Sequence, residues 1–204
     1  MSLTLLDWRR TVFAMYADVR STVAEDPEGT LTRFRAAKDG LFTGHPDTPI
    51  LPAERATFSG LRYWAYDPAL RFEVEVEPMP PVGIASISGT GDAYPLDRFG
   101  RITLPVGSLD VFWVSVYGGG VFIPFRDATN GTETYGAGRY LLDTVKGADL
   151  GGTDGRLIVD FNYAYHPSCT YDPKWSCPLA PPSNRLTVPV RAGERLEPPA
   201  TAER

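Results

Sequence analysis

A mainly β fold, an antiparallel β-sandwich or partly open β-barrel carrying one or two N-terminal helices, is predicted by three features of this 204-residue sequence. After residue 60, short segments rich in Val, Ile, Phe, Tyr and Trp follow one another with little between them. Gly, Pro, Asn or Asp separates most of these segments, and with 20 Gly and 19 Pro the chain must turn often. No strand–helix alternation follows residue 60, which disfavours a doubly wound sheet and the nucleotide crevice of that fold.

The helices come first. Leu5, Trp8, Val12, Met15, Tyr16, Val19 and Val23 recur at three- and four-residue steps, so residues 4–24 form an amphipathic helix with one apolar stripe. A second, shorter helix runs from Pro27 to Lys38, with Leu31 and Phe34 on its apolar side and Gly40 as its stop. These stripes are core packing and carry no chemistry. The proline-rich run from Gly44 to Pro52 is an ordered loop that includes His45.

Strands are expected at 61–66, 71–77, 82–88, 101–106, 109–117, 121–125, 139–143, 157–165 and 186–190. Phe72, Val74 and Val76 alternate with Glu73, Glu75 and Glu77, which describes one buried and one wet face. Val111 to Tyr117 is apolar on both faces apart from Ser115, so it is a central strand covered on both sides. Gly118 to Gly120 joins two strands and reads as a hairpin turn, because a phosphate cradle needs a glycine loop that opens a helix. Residues 1–196 make one β-rich domain, with a helical segment at about 4–38 and a loose tail at 197–204.

Composition narrows the partners. Lys and Arg total 20 against 25 Asp and Glu, giving a net charge of −5, which argues against nucleic acid. No apolar run approaches membrane-spanning length, and Asp7, Arg9 and Arg10 interrupt the region a signal peptide would need. A cytoplasmic protein with a small-molecule partner, and neither nucleic acid nor membrane, is expected.

Two stretches concentrate reactive side chains. In Phe125 to Leu141, Asn130-Gly131 is a turn signal because both residues tolerate positive φ. That turn folds Arg126 and Asp127 back towards Tyr135 and Arg139, and a guanidinium fork among phenols suits a carboxylate or phosphate ligand. An Arg–Asp pair bracing a hairpin fits the same residues. In Asp160 to Pro182, an extended chain puts Asp160, Asn162 and His166 on one strand face, with about 7 Å between every second residue. Those residues line a pocket or simply form a polar strand face.

Cys169 and Cys177 have three readings: packed thiols, a disulfide, or zinc ligands together with His166. No cofactor is expected, and zinc is the alternative. Asp160 and Glu194 are the candidate acid/base carboxylates. The chain has neither the Gly-x-Ser-x-Gly elbow nor the His-Glu-x-x-His zinc pattern, and its two histidines have no evident nucleophile partner.

The order of motifs is informative: Trp8-Arg9-Arg10, His45-Pro46-Asp47-Thr48-Pro49, Phe125-Arg126-Asp127, Tyr135-Gly136, Gly138-Arg139-Tyr140, Asp160-Phe161-Asn162, Cys169-Thr170-Tyr171, Cys177-Pro178, Asn184-Arg185-Leu186 and Ala192-Gly193-Glu194. Together they resemble the bacterial and archaeal domain-of-unknown-function family numbered 1684. His166 departs from that pattern, standing where an asparagine is more usual. The resemblance carries no reaction. It implies that Arg126, Asp127, Tyr135, Gly138, Arg139, Asp160, Asn162, Cys169 and Cys177 belong to a recurring pattern. The expectation is a ligand site lined by Arg126, Asp127, Tyr135, Arg139, Asp160 and Asn162, between the 126–139 hairpin and the 160–166 strand. The alternatives are an enzyme that uses its carboxylates as acid and base, or a polar brace that fixes the sheet topology.

Overall fold

The computed structural model describes residues 3–196, so the tail expected at 197–204 lies outside the described residues. Among the described residues two α-helices precede nine strands. Helix α1 (Leu3–Thr22) buries Met15, Tyr16 and Val19. Helix α2 (Pro27–Gly44) starts where Asp26 accepts the Gly29 N–H at 3.0 Å, with Pro27 in the first turn. It does not stop at Gly40 as expected. Leu41 and Phe42 continue its buried face, and their burial outweighs the modest cost of one exposed helical glycine. The two helices meet through Tyr16 and Phe34, whose rings stand edge-on at 5.0 Å.

The strands are β1 (Arg62–Tyr63), β2 (Arg71–Glu75), β3 (Glu77–Ile87), β4 (Ala93–Leu104), β5 (Gly107–Val114), β6 (Val121–Phe125), β7 (Arg139–Asp143), β8 (Arg156–Asp160) and β9 (Glu194–Arg195). Strands β3 to β7 form a five-stranded antiparallel meander in chain order. Two small antiparallel sheets pair β2 with β8 and β1 with β9. The fold is the mainly β one expected. Strand β5 is central, and its sides serve two cores: Leu109 and Val111 pack with the helices, while Phe112 and Val114 pack with Leu96, Phe122 and Tyr140. Among the described residues no helix is long and apolar enough to cross a membrane.

The strand expected at 61–66 is only Arg62–Tyr63, the one expected at 109–117 stops at Val114 with Trp113 44% exposed rather than covered, and two further expected strands differ in kind. Strand β8 ends at Asp160, because that carboxylate caps a 3₁₀ turn at Phe161–Tyr163 by accepting the Asn162 N–H at 2.9 Å. Alternation therefore stops there, and Asp160, Asn162 and His166 do not share a strand face. The segment 186–190 is no strand either: Pro189 lacks an N–H, and the backbone is held by single bonds to the 126–128 segment, such as Leu186 N–H to Arg126 C=O at 2.8 Å. The last paired strand is β9, a few residues later, and it brings Glu194 into the core.

Gly193 sets that entry. Its φ is +74°, and a Cβ there would meet the Ala164 carbonyl and lie 2.6 Å from the Phe161 carbonyl. Gly193→Ala is expected to cost about 2–4 kcal/mol. The check is the shift in urea midpoint; an unchanged midpoint would show that the backbone yields here.

Candidate functional site

The turn at Asn130-Gly131 forms as expected, with Gly131 at φ +83°. It brings Asp127 and Arg139 together, their side chains fully buried and 3.3 Å apart. Arg139 also donates to the carbonyls of Val190 (2.7 Å), Ala192 (2.5 Å) and Glu194 (3.1 Å), and its guanidinium lies over the Trp64 and Phe125 rings. Asp127 accepts from the Thr129 hydroxyl at 2.7 Å and the Val190 N–H at 2.7 Å. Burial draws Arg139 down to about 10, so it stays charged at neutral pH. The pair holds the 190–194 segment through these bonds, while Arg139 Nε has no hydrogen-bond partner among the described residues.

Asp160 and Asn162 form a second brace. The Asn162 side chain bonds both the N–H (2.9 Å) and the C=O (2.8 Å) of Asp67, and it donates to Asp160 at 2.8 Å. Burial pushes the Asp160 carboxyl up, opposed by these hydrogen bonds. This brace bonds to Asp67, whereas the Arg139 pair bonds to the 190–194 segment. Arg126 contributes its backbone, pairing with Asn184 and Leu186. Tyr135 gives its backbone N–H to His166 Nε2 at 3.3 Å.

A different polar cluster sits under the helices. Lys38, on the buried face of α2, places Nζ 2.6 Å from Glu194 Oε1, with the two side chains 11% and 2% exposed. The other carboxylate oxygen of Glu194 accepts the His166 backbone N–H at 2.8 Å and the Tyr171 hydroxyl at 3.3 Å. Burial alone would raise Glu194, but the Lys38 ammonium and the His166 contacts outweigh it and hold the carboxyl at about 2. Because His166 Nε2 accepts from Tyr135, its proton belongs on Nδ1, which lies 3.5 Å from Glu194 Oε2. Burial lowers His166 despite that neighbour and keeps the ring neutral. His166 Nε2 is thus engaged, while Nδ1 faces Glu194 without making a hydrogen bond, and Glu194 is a fixed counter-ion with little basicity.

Lys38 lines a cavity of about 100 Å³ between the two helices and the chain from Tyr165 to Ser168. Its walls are largely apolar, with Trp8, Val12, Phe34, Phe42 and Tyr140 among them, and Arg9 and Lys146 add positive charge. The Tyr165 ring lies 4.4 Å from Lys38 Nζ. None of the six residues expected to bind a ligand lines this cavity. Reading the helical stripes as packing alone missed Lys38 and Trp8. The available signal was a lysine at the fourth position after Phe34 and the third before Leu41, a charge set on an apolar stripe.

The cysteines are both unbridged and buried. His166 turns to Glu194 rather than to them, and among the described residues no group of three or more His, Cys, Asp or Glu is placed to hold a metal. His45 is tied locally: Nδ1 accepts the Asp47 N–H at 3.1 Å, and the ring stands edge-on to Trp8 at 5.2 Å.

Residues 56–195 match the model of a family described as "Protein of unknown function (DUF1684)". That span includes His166 and Glu194 and leaves out both helices, Lys38 among them. The chain is similar to the solution NMR structure of an uncharacterized protein of Haloarcula marismortui, at 34% sequence identity, covering 85% of this chain and 96% of that one, with a TM-score of 0.58. No curated protein matches it.

Proposed function

We propose, for a chain that belongs to the DUF1684 family of proteins of unknown function, that it binds a small apolar carboxylate in the cavity beside Lys38. One observation carries this reading: Lys38, whose ammonium is buried 2.6 Å from its ion-pair partner Glu194, lines an aromatic-walled cavity. A ligand carboxylate accepts from the ammonium, and the ligand's apolar body fills the space between Trp8, Phe34 and Phe42. Arg9 and Lys146 bring the cations lining the cavity to three, with Glu194 behind Lys38 and outside the lining, which favours an anion. The volume of about 100 Å³ suits a ligand with a buried part of few heavy atoms.

Acid/base catalysis is the less favoured use of the same groups. A general base needs a free lone pair near neutral pKa, whereas Glu194 is held at about 2 and His166 Nε2 is occupied.

The test compares benzoate with its neutral analogue benzamide by calorimetry. A charge-assisted hydrogen bond is worth about 1.5–3 kcal/mol, so benzoate is expected to bind about 10- to 100-fold more tightly. Lys38→Met combined with Glu194→Leu, which removes the pair without stranding a charge, is expected to abolish that preference. Equal affinity for the two compounds in the parent, or no saturable benzoate binding at millimolar concentration, would overturn the proposal.

A further inference from the structure

The register of the smallest sheet sets two like charges opposite each other. Strands β1 and β9 pair Tyr63 with Glu194 and Arg62 with Arg195. Glu194 is buried and Tyr63 half-buried, so alternation turns the two arginines to the opposite, outer side. Side chains directly opposite in an antiparallel pair start about 4.5–5.5 Å apart at Cβ, and like charges there destabilise the pairing. A bound anion offsets that repulsion.

Both arginines line one cavity of about 390 Å³, between the 54–61 segment, Tyr171 and the β1–β9 pair. That size falls in the range of about 300–1,000 Å³ that holds small-molecule ligands. Glu54, also on the wall, offsets one positive charge and leaves the lining net positive. Phe58, Leu61 and Tyr171 supply an apolar side, and all three pack with Phe42 and Ile50. The Tyr171 ring stands edge-on to Phe42 at 5.5 Å, and its hydroxyl donates to Glu194 at 3.3 Å. Arg195 Nε donates to the Tyr63 carbonyl at 3.4 Å, which limits how far that guanidinium can swing away. The apolar wall and the positive charge are therefore in place before a ligand arrives.

We infer that this cavity binds a phosphate monoester with a small, flat apolar body. A carboxylate has two oxygens and one charge, which a single guanidinium fork satisfies. A phosphate monoester offers three terminal oxygens and, above its second pKa of about 6, close to two negative charges. It is therefore the better match for two arginines set opposite each other, and its body lies against Phe58 and Tyr171. No residue lines both this cavity and the one beside Lys38, so the assignment stands whether or not a carboxylate binds there.

The experiment titrates the full-length protein by calorimetry at about pH 8, where the phosphate is doubly charged. Phenyl phosphate is compared with phenyl sulfate, which has the same shape and one charge, and with inorganic phosphate, which lacks the body. Phenyl phosphate is expected to bind about tenfold or more tightly than either. Arg62 is exposed, so Arg62→Gln leaves the core intact, and it is expected to weaken phenyl phosphate about tenfold, as is Arg195→Gln. Excess benzoate is expected to leave phenyl phosphate binding unchanged. No saturable binding of phenyl phosphate at millimolar concentration, equal affinity for phenyl sulfate, or undiminished affinity in both variants would overturn the inference. Displacement by benzoate would also overturn it, because the phosphate would then occupy the cavity beside Lys38.

Discussion

Arg139→Ala is expected to abolish stable folding, or to lower the unfolding free energy by about 4 kcal/mol or more, against a total of about 5–15 kcal/mol for a domain of ordinary stability. The change leaves the Asp127 carboxylate buried beside an empty space, and it removes the donors of three buried carbonyls at Val190, Ala192 and Glu194. Each orphaned group costs its own desolvation in addition to the lost ion pair. Arg139→Lys restores charge but not the planar fork that serves Asp127 and the backbone together, so it is expected to recover only part of the loss. Urea midpoints of the two variants and the parent check this. An Arg139→Ala protein within about 1 kcal/mol of the parent would show that the 190–194 segment is held by something else.

The second large effect is Glu194→Gln, which strands the Lys38 ammonium among the aromatic rings of Phe42 and Tyr165. Removing one partner of a buried pair costs about 3–5 kcal/mol. The loss carries a pH signature. Glu194 is at about 2 in the folded chain against an ordinary 4.5, so its contribution is fully present above 4.5 and fades as pH falls from there towards 2. His166 is lowered by burial, so the unfolded chain takes up its proton first, and stability begins to fall below about 6.5. Asp143 and Asp160 run the other way, because burial raises both and their protonation favours the folded chain as pH drops. The parent is therefore expected to lose urea resistance steadily from pH 7 to pH 3, with Glu194→Gln starting lower and following a shallower curve, so that the two converge in acid. Parallel curves would mean that Glu194 is not the ionised partner of Lys38.

Helix α1 and strands β6 and β7 are legible in the sequence within a residue or two, because their apolar periods complete themselves inside one short window. The Asp127–Arg139 pair is legible for a similar reason, since Asn130-Gly131 can make only a tight turn and the turn brings the two together. Other features depend on competition between near and distant partners. Gly40 looks like a helix stop until Leu41 and Phe42 find a core to enter. The alternation from Leu157 to Tyr165 looks like one strand until Asp160 takes the Asn162 N–H and Asn162 takes both backbone groups of Asp67. The polar residues 126, 127, 139, 160 and 162 read in the sequence as the walls of one site, whereas in the fold Asp127–Arg139 and Asp160–Asn162 bond in separate groups, with Arg126 Nε and Arg139 Nε left without a hydrogen-bond partner among the described residues.

The sequence by itself determined the mainly β class, the two helices that precede it, the turn at Asn130-Gly131 and the family pattern, because each of these is written in spacings of a few residues. Only the tertiary structure decided that Lys38 and Glu194 meet, that His166 is neutral with Nε2 engaged, and that a cavity opens between α1, α2 and Tyr165. The reason is physical: the charge state of a buried group is set by desolvation against the partners that folding brings within a few ångströms. For Lys38 that partner lies near the other end of the chain.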